Sequence, residues 1–432
     1  MKPIQTATVL AGMRLVGIAA LLLVIGACGH VQGPSTSAVV TPTATPSATA
    51  SVGIIQTPSP ATNPSPGPTP TTSSSLLFAV LEAKGTANSW TYNTVAIAGL
   101  DGYARAKTTF TPMPVPSVGC MGAIIPPSAH VANGKVFYAD ARGVVRSLSI
   151  DGTVQTVADF HMTSMQQMLS FAVSPDGTRL LGTVYTIPTN AYSCDGSPAT
   201  SPFAFDAYSA SSGGASQLLY HQSWTKSQNV LALTGWDEMG PVGTYPTVWA
   251  SQGGGPGSTL GVLVRIDPLT AKVLRTFSDP SSCMAWGSVA SGAFVCTGDS
   301  TITGGGTPQQ NVVQPVSVRR ADGTELWHFT ASGINAPSSP VLAPDAQHVM
   351  MCCADDGSGG FGELVIGRDG SRVALARGLY GYNWLDSTTY AGDFNTDPLK
   401  QPPFPLAYVA ASAPASATSM GFSGLVVGTV RA

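Results

Sequence analysis

The chain has 432 residues, with 48 glycines, 34 prolines and only 10% charged side chains, so its solubility rests on Ser, Thr, Asn and Gln, as suits many short strands joined by tight turns. A net charge of −3 with no run of Lys or Arg excludes the clustered positive surface that nucleic acid requires, and gives no electrostatic reason to dock on anionic lipid.

Lys2 and Arg14 precede Leu15–Ala27, an uncharged and mostly apolar run. A bilayer span takes about 20 residues; this run is shorter and has the length of a signal-peptide core. It ends Val24-Ile25-Gly26-Ala27-Cys28, which resembles the lipobox of bacterial lipoproteins: an aliphatic residue, two small ones, then cysteine. The resemblance implies that residues 1–27 are a signal peptide and that Cys28 becomes the lipid anchor, with two or more acyl chains holding the protein stably at the membrane. The other reading is an ordinary secretory signal followed by an incidental cysteine.

Residues 28–75 supply what an anchor requires. Thr41-Pro-Thr-Ala-Thr-Pro46 and Pro64-Ser-Pro-Gly-Pro-Thr-Pro70 carry no charge and little that can be buried, so the segment is expected to be a disordered linker. Pro-rich chain extends by about 3.1 Å per residue, enough to hold a domain on the order of 100 Å from its anchor. These features predict an exported, membrane-anchored lipoprotein of the bacterial cell envelope.

From residue 76 onward two turn signals alternate. One joins strands termed A and B: Asn133-Gly134, Asp176-Gly177, Ser291-Gly292, Asp345-Ala346 and Asp386-Ser387. The other joins strands C and D: Asp101-Gly102, Asp151-Gly152, Gly213-Gly214, Asp267-Pro268, Asp322-Gly323 and Asp369-Gly370. The flanks are β-branched, apolar or alternating, as in Gly143-Val-Val-Arg-Ser-Leu-Ser-Ile150. Grouping gives units near 122–160, 168–221, 230–279, 284–331, 338–377 and 380–422, plus a three-stranded unit at 76–111. The spare segment Gly424-Leu-Val-Val-Gly-Thr-Val430 is placed to supply that unit's missing innermost strand.

Ser174-Pro-Asp-Gly-Thr-Arg-Leu-Leu181, and more loosely Leu342-Ala-Pro-Asp-Ala-Gln-His-Val349, resemble the WD40-like PD40 repeats of TolB-type propellers, and Asp322-Gly-Thr-Glu-Leu-Trp327 is similar to blades of quinoprotein-like propellers. The resemblance implies an all-β fold over residues 76–432, a β-propeller; the seven units grouped above are then its four-stranded antiparallel blades, closed by the C-terminal strand so that no edge is left exposed. It implies nothing specific about function, because such folds host many. A pair of β-sandwiches or a β-helix is the competing fold.

In this register the extra residues fall between strands B and C, at Pro188–Pro202, Ser251–Thr259, Gly298–Gln314, Ala354–Gly362 and Asn395–Pro405. A meander places these loops on one rim together with the connections between blades, and insertions sharing one face mark the binding face of a repeat protein. Removing Cys28 leaves Cys120, Cys194, Cys283, Cys296, Cys352 and Cys353, an even set that suits disulfides in an exported protein. The expected pairs are Cys120–Cys194 and Cys283–Cys296, with Cys283 to Cys352 or Cys353 as rival.

Signatures of catalysis are absent: no GxSxG, HExxH, P-loop or EF-hand loop occurs. His30, His130, His161, His221, His328 and His348 stand alone, and Asp355-Asp356-Gly357 reads as a polar loop rather than a cation site. Trp236-Asp237-Glu238 and Trp384-Leu385-Asp386 set an aromatic beside carboxylates, as sugar sites do, but aromatics flanking propeller turns usually pack between blades. No catalytic, cofactor or metal residue is assigned and no cofactor is expected. The expected function is non-catalytic binding or scaffolding of a protein or glycan at the B–C loop face. The alternative is an extracytoplasmic hydrolase or lyase whose site gathers from several blades in the central channel.

Overall fold

The hairpin around Asp176-Gly177 shows how this chain makes its elements. Gly177 takes φ +72°, a conformation free of steric cost only for glycine, and Asp176 accepts the Thr178 N–H at 3.1 Å, closing the turn. The flanking runs Gln167–Val173 and Arg179–Thr186 then pair antiparallel from Gln167–Thr186 to Val173–Leu180. The computed structural model describes residues 76–86, 89–113, 129–189, 202–225, 230–247, 263–277, 283–290, 292–299, 301–303, 311–334, 340–355, 361–396 and 403–431. No helix occurs among them.

The described strands are β1 (Leu77–Thr86), β2 (Ser89–Gly99), β3 (Ala104–Thr109), β4 (Ala129–Ala132), β5 (Lys135–Ala139), β6 (Val144–Ser149), β7 (Val154–Asp159), β8 (Gln167–Val173), β9 (Arg179–Thr186), β10 (Phe203–Ser211), β11 (Gln217–Trp224), β12 (Val230–Asp237), β13 (Gly240–Thr247), β14 (Leu263–Ile266) and β15 (Val273–Thr276). They continue as β16 (Met284–Ala290), β17 (Ala293–Thr297), β18 (Thr301–Thr303), β19 (Asn311–Arg320), β20 (Glu325–Ile334), β21 (Val341–Leu342), β22 (His348–Asp355), β23 (Phe361–Gly367), β24 (Arg372–Ala374), β25 (Leu379–Trp384), β26 (Thr389–Phe394), β27 (Pro405–Ala410) and β28 (Thr418–Val430).

Strands β4 to β7, β8 to β11 and β12 to β15 each form a four-stranded antiparallel sheet in chain order. Strands β16, β17, β19 and β20 form another, which the single pair Ile334–Ala354 joins to β21 through β24. Strand β28 is shared. Its first half pairs with β27, as in Tyr408–Thr418, and its second half pairs with β1 from Glu82–Gly424 to Leu77–Val430. The end of the chain therefore supplies the fourth strand beside β1, β2 and β3, where the sequence left a vacancy. Gly424 makes the crossing possible: it sits at φ +142°, and a Cβ there would lie 2.0 Å from the Leu81 carbonyl oxygen.

First strands of successive groups lie side by side: β28 against β4, β4 against β8, β8 against β12, β12 against β16, β16 against β21, β21 against β25, and β25 against β28. Four-stranded antiparallel sheets set face to face in this way are as in a β-propeller. In the group β8 to β11 burial falls from β8, buried throughout, to β11, mostly exposed, and β15 is exposed as well. The middle strands β5, β9 and β17 are almost wholly buried, as expected where both faces are covered. Between the second and third groups Phe137, Phe160, Leu169, Phe171 and Leu180 form one buried cluster, and burying each side chain of this size contributes roughly 2 kcal/mol. Polar staples add register: Ser170 Oγ lies 2.7 Å from Thr183 Oγ1, Thr183 donates to the Leu231 carbonyl at 3.2 Å, and the Leu233 N–H donates to Ser170 Oγ at 2.9 Å.

One detail differs from the sequence reading: Gly298–Gln314 holds β18, which pairs with Asn311–Val313, so part of that loop is a hairpin. Gly421-Phe-Ser-Gly424 is a kink within β28, where one strand serves two sheets. Cys352 and Cys353 fall inside β22, at a slip in its pairing with β23.

Candidate functional site

An antiparallel meander alternates its connections between two rims, and the rims are built differently. On one, short turns are closed by aspartates whose Oδ1 accepts the N–H two residues on: Asp151 from Thr153 at 2.9 Å, Asp267 from Leu269 at 2.9 Å, Asp322 from Thr324 at 2.8 Å and Asp369 from Ser371 at 2.9 Å. These bonds stabilise the ionised form. The Ser174 hydroxyl, with Thr178, holds Asp176 down to about 2. The carboxylates of this rim are thus committed to folding the turns.

The other rim carries the long connections, and residues 190–201, 248–262, 304–310, 356–360 and 397–402 of the B–C loops lie outside the described residues, as do 114–128, 278–282 and 335–339 between groups. Asp356-Gly357 of the polar loop, Cys120, Cys194, the lipid-anchor candidate Cys28 and His30 lie outside them too, and the side chains of Cys352 and Cys353 are not among those described. Cys283 and Cys296 form a disulfide with Cα atoms 5.0 Å apart, buried against Phe277 and Phe294, which is one of the two pairings expected.

Near the long-loop rim, where the last group meets the first, three perturbed groups come from three strands. Asp393 stands near the end of β26, paired in register with Tyr380, and desolvation pushes its carboxyl up to about 7. Tyr92 of β2 and Tyr382 of β25 both feel that carboxyl, and burial raises both phenols well above their ordinary range. Tyr382 Oη accepts the Val426 N–H at 3.2 Å and donates to the Gly424 carbonyl at 3.4 Å, so it is tied to the crossing point of β28. Asn383 reaches the Val426 carbonyl at 3.1 Å. A carboxyl raised by burial to about 7, within electrostatic reach of two buried phenols, is a perturbed group of the sort that gathers at functional sites. No short motif announces it, because each strand gives one residue and only the register unites them.

Other titratable groups stay apart. Glu363, 4% exposed, is raised by burial alone. His130 packs edge-on to Phe171, bonds the Phe171 backbone, and is driven down to about 4 by burial, with Nε2 enclosed and unbonded. His221 meets Asp206 at 2.6 Å and His328 meets Glu325 at 2.7 Å, on different outer strands, while His348 lies against Trp384. Among the described residues no three His, Cys, Asp or Glu side chains gather to hold a metal ion. The aromatic–carboxylate pairs are structural: Asp237 bonds the buried Arg265, Trp236 lies beneath Arg179, and Trp384 Nε1 donates to the Val341 carbonyl at 3.1 Å.

No family model matches the chain, and no curated protein matches it in sequence. Solved structures similar in shape include an oligogalacturonate lyase in complex with manganese (10% identity, TM-score 0.43, 77% of this chain and 90% of that one). The Dos1 propeller is another (10%, 0.39, 82% and 86%), as is an acylaminoacyl peptidase of Pyrococcus horikoshii (11%, 0.43, 80% and 50%). At these scores neither the lyase nor the peptidase activity transfers to this chain, and the fold stands on its own strand pairing.

Proposed function

We propose that this chain is a cell-envelope lipoprotein, anchored through Cys28 and spaced by residues 28–75, whose domain is a seven-bladed, TolB-like propeller closed by β28. It binds a protein or glycan through the rim of long connections. The observation that carries this reading is the contrast between the rims. One rim is spent on aspartate-closed turns, while the other holds the insertions between β9 and β10, β13 and β14, and β26 and β27. A binding surface assembled from loops on a rigid ring can vary without disturbing the fold. The divided pairing of β28 supports closure.

The experiment is loop exchange. Replacing 190–201 and 251–259 by short Gly-Ser connections should abolish binding in glycan arrays and envelope extracts while leaving the melting temperature within a few degrees. Binding that survives both exchanges refutes the reading. For the address, Cys28→Ser should lose radiolabelled palmitate and leave the membrane fraction.

A second reading, an extracytoplasmic hydrolase or lyase, has the Asp393–Tyr92–Tyr382 cluster in its favour. It predicts that Asp393→Asn abolishes a turnover that loop exchange merely slows.

A further inference from the structure

On the outer side of the second and third groups, three side chains separated in sequence form a chain of contacts. Ser216 Oγ lies 3.1 Å from His161 Nε2, and His161 Nδ1 lies 3.5 Å from Asp159 Oδ1. The backbone holds all three rigidly. Asp159 ends β7, the Phe160 N–H donates to the Gly143 carbonyl at 3.0 Å, and the Met162 N–H donates to the Arg142 carbonyl at 3.1 Å, which fixes His161 between two anchored neighbours. The turn before β11 docks on β7 through the Gly213 N–H, which donates to the Val157 carbonyl at 2.8 Å and brings Ser216 to the imidazole. Asp159 Oδ1 also accepts the His161 N–H at 2.8 Å.

Ser216 donates its hydroxyl to the Asp159 carbonyl as well, and a plain structural staple explains that bond. It does not explain the imidazole. His161 occupies φ +57° in a turn closed by the Asp159 Oδ1 bond to its N–H. Its ring stands edge-on to Tyr208 at 6.3 Å and remains 57% exposed, so a substrate can reach it.

We propose that Ser216, His161 and Asp159 form a serine-nucleophile site, separate from the Asp393 cluster, that accepts small activated esters. Ser216 Oγ forms a bond to the acyl carbon while the bond from that carbon to the alcohol oxygen breaks. His161 Nε2 takes the serine proton and returns it to the departing alcohol. Water then attacks the acyl-serine, gives a proton to His161, and releases the acid as the proton returns to Ser216 Oγ. The Asp159 carboxylate accepts the His161 backbone N–H and so fixes the chain beneath the ring, with Nδ1 3.5 Å away; the Asp159 carbonyl sets the position of Oγ, from which the hydroxyl hydrogen turns to Nε2.

The test is labelling of the full chain by a biotinylated fluorophosphonate, with the adduct located by mass spectrometry. Attack by Ser216 Oγ displaces fluoride and leaves a phosphonyl-serine. The expected result is modification of Ser216 in the folded protein and none in Ser216→Ala. In His161→Gln, which keeps Ser216 and its bond to the Asp159 carbonyl, the labelling rate should fall roughly 100-fold, the scale of a lost general base. Absence of wild-type labelling, equal labelling in Ser216→Ala, or an unchanged rate in His161→Gln each overturns the proposal.

Discussion

Replacing Asp393 by asparagine tests the seam between the last and first sheet groups. The carboxyl is raised from 3.8 to about 7 by desolvation, beside Tyr92 and Tyr382. In the unfolded chain it titrates near an ordinary ~3.9. Between those values the folded state holds a proton that the unfolded state has lost, so stability is highest below about pH 4, declines as pH rises, and levels off above about pH 7. Roughly three units at ~1.4 kcal/mol each set a ceiling of about 4 kcal/mol; partial solvent contact lowers the expected loss to about 2 kcal/mol. Urea unfolding followed from about pH 4 to about pH 8 should show that decline in the wild type. In Asp393→Asn the contribution is absent, so the variant overtakes the wild type on the alkaline side. Parallel pH profiles for the two proteins would refute the reasoning.

Removing Leu425–Ala432 takes away the half of β28 that pairs with β1 and exposes its apolar partners; losing buried Leu425, Val426 and Val430 costs about 6 kcal/mol, so thermal unfolding should shift sharply downward or lose cooperativity. An unchanged melting temperature would contradict the shared-strand topology. Reducing the Cys283–Cys296 bond, which closes a sequence separation of 13, should destabilise by about 3 kcal/mol in denaturant titration. Asp237→Ala leaves Arg265, with a side chain only 7% exposed, without its carboxylate partner, and about 3 kcal/mol of stability should be lost.

The parts of the fold legible in sequence are those encoded locally. Asp-Gly pairs announce turns because the carboxylate closes the turn and glycine supplies the conformation, as at Asp151-Gly152 and Asp369-Gly370. The strand that pairs with β1 was legible because one unit lacked a strand and one strand lacked a unit. Turns that went unassigned lack such signals: β12 turns into β13 at Glu238-Met239, which carries no Asp-Gly or Asn-Gly pair, and β27 reaches β28 through a stretch around Ala413 and Ser416 without one. Functional clusters are less legible still. Asp393, Tyr382 and Tyr92 become neighbours only when the last strand returns to the first, and Ser216 reaches His161 only because a turn of one sheet docks on the edge of another. Neither proximity leaves a trace in local spacing.

The claim that the long-loop rim is the working face is tested most directly by photo-crosslinking in intact cells. Single photoreactive residues would be placed at positions 189, 247 and 396, at the ends of strands that lead into the long connections, and at positions 151, 213 and 369 on the turn rim. The account predicts a discrete adduct from the first set and none from the second. Adducts confined to the turn rim, or equal from both, would contradict it.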